Sequence, residues 1–426
     1  MSVTQGFLQI PLGPGIRLFV HTVPTFKRTS AAVFLHNLLS PQDVAKVGIL
    51  PRVQRRGNTL WPTALALERE LASLYGAHLG TGVQKRGDRQ ISWFLLNLPG
   101  DRYVDTPILS RGLRLLREVI LSPVIENGGL AREYVEQERQ LQVGRIRSLI
   151  NVKSSWAVFR CIEEMYRDEP FRLFEFGTEE QVRALTPEGL LRTHARQTRE
   201  APIDIYVVGD VDLDALKRVV GGFSLPTRTP RELPKTAVLS GREEVHTVID
   251  EEVMGQGWLV LGFRTDIAYS DNERYAMHFL NGVLGGFVHS KLFLNVREKA
   301  SLAYQASSGY NANKGYVLAL AGIDPNKYDQ ALEIMIRQVD AIRQGDISDE
   351  EMNATRSRLV ARALLTRDDP LAQMMTHLSG SMEGVEETAD EFVGRLQRVT
   401  KKEIVDVAER VRLDTIYFLK GVAQQP

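Results

Sequence analysis

Apolar residues in this chain occur as short continuous runs separated by longer stretches with helical periodicity. Runs at residues 16–23, 31–39 and 203–209 are rich in β-branched and aromatic side chains, which is typical of strands. Residues 58–75 instead carry leucines at positions 65, 67, 71 and 74, which predict the apolar face of an amphipathic helix. Residues 44–56 predict a shorter helix interrupted at Pro51. Strands interspersed with helices in this way indicate an α+β protein.

The order of predicted elements in the second half of the chain repeats that of the first. In each half, a Thr suited to a helix N-cap precedes an acidic residue and leads through a helix to a closing strand. The two threonines are Thr186 and Thr400, and the closing strands are predicted at residues 203–209 and 415–421. We therefore predict two homologous α+β halves, each an antiparallel sheet packed with helices.

A proline-rich stretch separates the two halves. Three prolines stand among polar residues between positions 225 and 235, and such a segment sustains neither a helix nor a central strand. The sequence thus predicts an N-terminal domain at 1–224, a linker at 225–240 and a C-terminal domain at 241–426.

Composition and charge narrow the functional classes. The 426 residues include 53 basic and 53 acidic side chains, and this balance offers no positive support for binding to nucleic acid or to an acidic membrane. The single cysteine, Cys161, rules out a disulfide within the chain and is interpreted as core packing. The N-terminus lacks the pattern of a signal peptide, so we expect a cytoplasmic protein.

The most distinctive chemistry lies at residues 290–304. An amphipathic run there ends in Arg297-Glu-Lys, and Tyr304 follows seven residues after the arginine. A guanidinium group has five donors in a planar fork, and a phenol can donate to an oxyanion. On chemistry alone, a surface arginine beside a half-buried tyrosine explains the same pattern.

Two α+β halves joined by a proline-rich linker resemble the pitrilysin/insulinase family of metallopeptidases. The segment Leu294-Asn-Val-Arg-Glu-Lys-Ala-Ser-Leu-Ala-Tyr304 is similar to that family's arginine-containing, tyrosine-terminated segment. The resemblance implies that Arg297 and Tyr304 bind substrate or stabilise the oxyanion at a zinc site formed elsewhere.

The chain departs from the family at the zinc site. The family carries His-x-x-Glu-His on a first-half helix, with a Glu ligand on a later helix, and this sequence contains no His-x-x-Glu-His. The resemblance places Gly48, Pro51 and Arg52 at the motif positions and Arg145 at the later ligand position. We therefore expect no metal and no cofactor in this chain, because two arginines repel a dication.

The eight histidines suggest no substitute metal site, because no two lie within five residues of each other. His21 and His36 are predicted on adjacent strands, each half-exposed. His278 and His289 are predicted on a helix surface.

The resemblance implies a non-catalytic subunit that works with a zinc-containing, insulinase-like partner on peptide substrates. Arg297 and Tyr304 would then act in the partner's zinc site, in a heterodimer or alternatively a homodimer. Two other interpretations stay open at this point. One is a structural core protein with no role in catalysis, and the other is a hydrolase with an unrecognised metal site.

Overall fold

A computed structural model describes residues 6–221, 227–300 and 302–423. Leu225 and Pro226 of the predicted linker, residues 222–224 before it, and Ser301 lie outside the described residues. The strands of the described part are β1 (Leu8–Gly13), β2 (Ile16–Thr22), β3 (Arg28–Leu38), β4 (His78–Arg86), β5 (Arg89–Pro99), β6 (Ile125–Glu126), β7 (Gly129–Leu130), β8 (Ile203–Gly209), β9 (His246–Val253), β10 (Gly257–Arg264), β11 (Ala303–Asn311), β12 (Tyr316–Ile323) and β13 (Arg412–Val422).

The helices are distributed over both halves. They are α1 (Val44–Gln54), α2 (Ala64–Ser73), α3 (Leu109–Leu121), α4 (Arg132–Asn151), α5 (Lys153–Met165), α6 (Glu179–Arg183), α7 (Pro187–Glu200), α8 (Leu213–Gly221), α9 (Arg274–Asn281), α10 (Tyr328–Arg343), α11 (Asp349–Leu365), α12 (Pro370–Glu383), α13 (Ala389–Arg398) and α14 (Lys401–Ala408). Two π-helical turns, Gly282–Gly286 and Phe293–Lys299, follow α9. No helix among the described residues combines the length and apolar character that crossing a membrane requires.

Two sheets with matching topology confirm the predicted duplication. The first has the strand order β1-β2-β8-β3-β5-β4, and the second has the order β11-β12-β10-β13-β9. Taken from its β9 edge, the second sheet has the order β9-β13-β10-β12-β11. These five strands correspond in turn to β2-β8-β3-β5-β4, which is the first sheet without β1. Each sheet also contains one parallel pair, β2 with β8 and β9 with β13, so neither is purely antiparallel as predicted. The parallel pairs arise because each closing strand returns after a long helical connection, which is what parallel pairing requires.

Local capping explains where several helices begin. Thr186 accepts a hydrogen bond from the Gly189 amide at 3.1 Å, and Thr400 accepts one from the Glu403 amide at 3.3 Å, which confirms both predicted N-caps. Helices α6 and α7 are separate, because the cap at Thr186 and Pro187 at the first helical position start a new helix.

The described residues group into two compact units, and each unit includes a helical segment from the other half of the sequence. The first comprises the chain through Arg147, Leu173–Pro234 and Pro370–His377. The second comprises Ser148–Arg172, Lys235–Asp369 and the chain from Leu378 onward. The proposed division at 225–240 stays a prediction.

In the first unit, one sheet face packs against α2, α3 and α8 in an apolar core. On the opposite face, the aromatic rings of Phe19 and Tyr206 stack 4.8 Å apart, and the hydroxyl of Tyr206 lies 2.8 Å from His377 Nδ1 on α12. In the second unit, α9, α10, α11 and α14 cover one face, and α5 packs on the other against β10 and β13.

Cys161 on α5 is fully buried in the second unit, and burial raises the pKa of its thiol. We expect the native protein to resist Ellman's reagent over minutes and to release one equivalent of thiol once unfolded in guanidinium chloride. A Ser73→Cys variant, with an exposed second thiol, should react at once in native buffer. Rapid native labelling of the unmodified sequence would contradict the buried position.

Candidate functional site

Helix α1 carries three of the four positions at which the family resemblance places zinc-site residues. The helix runs through Pro51 without the predicted interruption, although a proline inside a helix removes one backbone donor. Nine of its eleven residues are buried, so packing outweighs the local cost of the proline.

Gly48 on α1 is covered by backbone. A Cβ atom at this position would lie 2.7 Å from the carbonyl oxygen of Glu175 and 3.2 Å from Phe176 Cα. Gln90 holds this covering segment, because its amide donates to the carbonyl oxygens of Val44 at 2.8 Å and Glu175 at 2.7 Å. An imidazole side chain therefore has no room at position 48 unless the backbone at 175–176 moves.

The other three of these positions hold two arginines, which are cations, and a proline, which has no ligand atom. Arg52 lies on α1 and Arg145 on α4, close enough for the charge of Arg145 to affect the pKa of Arg52. Burial is the largest cause that lowers the pKa of Arg52, the charge of Arg145 lowers it further, and Glu138 opposes both. Proline and glycine offer no ligand atom, so these residues do not fit zinc. Across the described ranges, no group of three or more His, Cys, Asp or Glu side chains is placed to hold a metal ion.

Arg297 and Tyr304 both lie in the second unit, and in the sequence they stand on either side of Ser301, which is outside the described residues. Arg297 sits in the π-helical turn Phe293–Lys299, where its guanidinium lies 4.6 Å from the centroid of the Phe293 ring. Its Nε is 3.7 Å from a carboxylate oxygen of Glu298, and the side chain is 44% exposed. The guanidinium therefore remains accessible to a ligand.

Tyr304 is the most exposed large hydrophobic residue of the described chain, at 88%. It occupies β11, an edge strand, where the register with β12 shifts between Ala303 and Gln305. A bulge of this kind re-aims a side chain away from the regular sheet surface. The Tyr304 hydroxyl makes no hydrogen bond to any residue that the structure describes, so it is available to a ligand or to another protein.

The histidines occupy positions that differ from several expectations. His21 and His36 are not on adjacent strands, because β8 lies between β2 and β3. His36 is buried rather than half-exposed. His278 is partly buried rather than on the surface of a helix: its ring packs edge-on against Tyr310 and Phe392, and burial lowers its pKa to about 4.

Sequence reasoning missed a buried ionic cluster in the first unit. Asp204 on β8 accepts two hydrogen bonds from Arg17, each of 2.8 Å, and lies 3.0 Å from His36 Nε2. Burial alone would raise the pKa of Asp204, but the hydrogen bond and charge of His36, followed by those of Arg17, lower it. One signal in the sequence was available: an aspartate inside the otherwise apolar strand Ile203–Gly209 needs a buried partner.

Comparisons with known proteins agree with this architecture. The family model described as "Peptidase M16 inactive domain" matches residues 184–359. A Bacillus subtilis protein named "Probable inactive metalloprotease YmfF" is 33% identical over 408 residues, which cover 95% of this chain and 96% of the relative.

Two solved structures have a similar fold. A conserved protein from Enterococcus faecalis has a TM-score of 0.93 and 28% identity, with 99% of this chain and 100% of that one covered. A protease from Helicobacter pylori has a TM-score of 0.83 at 15% identity, with 98% and 100% covered, and shows the fold alone. Since identity to the Bacillus relative extends over nearly the whole of both chains, this protein belongs to the M16 family of metallopeptidases, the family of pitrilysin and insulinase.

Proposed function

We propose that this chain is the non-catalytic subunit of a heteromeric, insulinase-like zinc peptidase that processes peptides or proteins in the cytoplasm. Arg297 and Tyr304 would contribute substrate binding and oxyanion stabilisation in the zinc site of the partner subunit. The observation that carries the proposal is the contrast between two regions of the chain. Residues 294–304, the Arg/Tyr segment, present exposed donors, whereas the family resemblance assigns Gly48, Pro51, Arg52 and Arg145 to the zinc-site positions.

The exposed donors support a role in binding rather than in packing. A tyrosine that packs a core buries its ring and usually finds a partner for its hydroxyl. Tyr304 does neither, because the residue is 88% exposed and its hydroxyl has no partner among the described residues. A phenol O–H and a guanidinium can each donate to a peptide carbonyl oxygen and donate more strongly to an oxyanion.

The chain's own site residues support a need for a partner. Gly48 is covered by the backbone at residues 175–176, and Arg52 and Arg145 put positive charge at positions that the family resemblance assigns to zinc ligands. The zinc of the proposed assembly would therefore belong to a second M16 subunit with an intact His-x-x-Glu-His. A cytoplasmic location is consistent with a single, buried cysteine.

An add-back assay tests the proposal. The chain, a co-purifying M16 subunit that has the intact motif, and their mixture are assayed separately on a quenched-fluorescent peptide library. We expect cleavage by the mixture to exceed that of either subunit alone by at least 10-fold, because only the mixture combines the zinc with the Arg/Tyr donors.

Three outcomes would contradict the proposal. Equal activity of the partner alone and the mixture would leave a structural role for this chain. Activity of this chain alone, with one equivalent of zinc by elemental analysis, would indicate an unrecognised metal site. Failure of any motif-bearing M16 protein to co-purify would remove the heteromer, and sedimentation would then test for a homodimer.

A further inference from the structure

Two guanidinium groups in the first unit share one carboxylate, and a third guanidinium group lies near them. Glu138 on α4 is 4% exposed, and one of its carboxylate oxygens accepts a hydrogen bond from Arg56 Nε at 2.8 Å. Its other oxygen accepts a longer hydrogen bond from Arg145 Nη1 at 3.3 Å. Arg52 is the third cation, close enough for both Glu138 and Arg145 to shift its pKa. The cluster therefore carries two positive charges in excess.

Arg52 differs from the other arginines of this cluster because its charge is unpaired. It makes no hydrogen bond and no ion pair within the described ranges, and its Nε is buried without a partner. Buried donors in proteins almost always find an acceptor, and each exception calls for an explanation. Arg55, three residues further along the chain, shows the ordinary arrangement: it donates to Glu68 at 2.6 Å and to the carbonyl oxygen of Leu79 at 3.1 Å.

The unpaired charge of Arg52 costs folding stability. Burial and the charge of Arg145 both lower the pKa of Arg52, which means that the folded state disfavours its protonated form. An arginine stays protonated at every ordinary pH, so this cost is present throughout the working range. A cation with no partner of its own has donors left for a ligand, and local departures from good pairing are expected at functional sites.

We propose that Arg52 and Arg145 form a binding site for an oxyanion, either a peptide carboxylate or a phosphate group. A planar fork matches both ligands bidentately, and a ligand charge of −1 or −2 would compensate the excess positive charge. Arg145 is held by Glu138 and by the side-chain oxygen of Gln142 at 3.2 Å, so one half of the site is already oriented. This proposal does not depend on the function proposed above, because it concerns the isolated chain.

Binding is measured on the purified chain by calorimetric titration and by thermal unfolding, with sodium chloride used to keep the ionic strength constant. The probes are inorganic phosphate, acetate, and a short acetylated peptide as its free acid and as its C-terminal amide. We expect the wild type to bind phosphate or the free-acid peptide and to gain several degrees in Tm at saturating probe. The acid and amide forms distinguish a peptide carboxylate from a phosphate ligand.

The variant Arg52→Met keeps an unbranched, flexible side chain in place of the aliphatic part of the arginine and removes the charge. We expect it to bind at least ~10-fold more weakly, because a charge-assisted hydrogen bond is lost. Without probe, its Tm should be higher than that of the wild type by ~1–3 °C, because the repulsion is relieved. Arg52→Lys should be intermediate in binding, since it keeps the charge and loses the fork. The matched control Arg55→Met should bind as the wild type does.

Three results would overturn the proposal. The first is a wild type whose Tm and titration heats respond to none of the probes beyond the chloride reference. The second is an Arg52→Met variant that binds with wild-type affinity. The third is an Arg55→Met variant that binds as weakly as Arg52→Met, because the loss would then reflect the overall positive charge of the helix and not the position of Arg52.

Discussion

Replacing Arg297 by alanine is expected to lower kcat/KM of the assembled two-subunit peptidase by on the order of 10²-fold, while the stability of this chain stays unchanged. Removal of one donor to a developing oxyanion typically has an effect of this size. The fold should tolerate the change, because the guanidinium is half-exposed and its nearest carboxylate, on Glu298, is 3.7 Å away. An ion pair of this kind contributes little to the free energy of unfolding.

Tyr304→Phe removes a single oxygen atom from the same segment and should lower kcat/KM by a similar factor. Because both groups would act on one substrate oxygen, the double variant should lose less than the product of the two single effects. Arg297→Lys keeps the charge but not the fork, and we expect it to recover only part of the activity.

The control for this series is Arg337→Ala, which removes an exposed arginine paired with Glu333 on α10. It should leave both kcat and KM unchanged. If Arg297→Ala and Tyr304→Phe also leave the activity of the assembly unchanged, then the Arg/Tyr segment has no role in catalysis. If they lower activity only by preventing association, which analytical ultracentrifugation would reveal, then the segment is an interface and not part of a site.

Replacing Asp204 by alanine is expected to lower the free energy of unfolding of the first unit by ~3–5 kcal/mol. Asp204 is 1% exposed and bridges Arg17 and His36. Removal of one partner from a buried ionic cluster leaves the charges and donors of the other partners unpaired. This is among the most destabilising single changes in proteins. Asp214→Ala, an exposed aspartate on α8, should change stability by less than ~0.5 kcal/mol.

Tryptophan fluorescence can follow the first unit separately. The chain has four tryptophans, and in a Trp156→Phe, Trp258→Phe background only Trp61 and Trp93 remain, both in the first unit. Denaturant titration of this background then reports the Asp204→Ala effect as a shift in midpoint. A midpoint within error of the parent would contradict the structural role of the cluster.

The pH dependence of the same unit follows from the lowered pKa of Asp204. A carboxyl group whose pKa is lower in the folded state than in the unfolded state stabilises the fold above the unfolded value, near 4. That stabilisation is lost as the pH falls from about 4 through the folded pKa. Asp204→Asn cannot titrate, so its stability should depend less on pH in this acid range.

The strands and their duplication were predictable because apolar runs and helix caps are local features. The strand at residues 203–209 and the caps at Thr186 and Thr400 were predicted correctly, since each depends on neighbouring residues. Strand β1 was missed, because only three of its six residues are apolar and it is held mainly by pairing with β2. The continuous course of α1 through Pro51 was also missed, because burial outweighs the local effect of proline.

Part of the candidate site could be predicted from the sequence. The absence of His-x-x-Glu-His and the presence of Arg297 and Tyr304 are visible in the residues alone. Their exposure and the bulge at Tyr304 depend on the pairing of β11 with β12, and no local pattern encodes that register shift.

The sequence by itself determined the fold class, the duplicated order of elements and the absence of a His-x-x-Glu-His motif. Only the tertiary structure decided that the backbone at residues 175–176 covers Gly48, and that β8 separates His21 from His36. The tertiary structure also decided that Arg52 stays unpaired beside Arg145. The physical reason is the distance along the chain over which each kind of interaction acts. Propensity and periodicity act over a few residues, whereas these contacts join segments that lie tens to hundreds of residues apart in the chain.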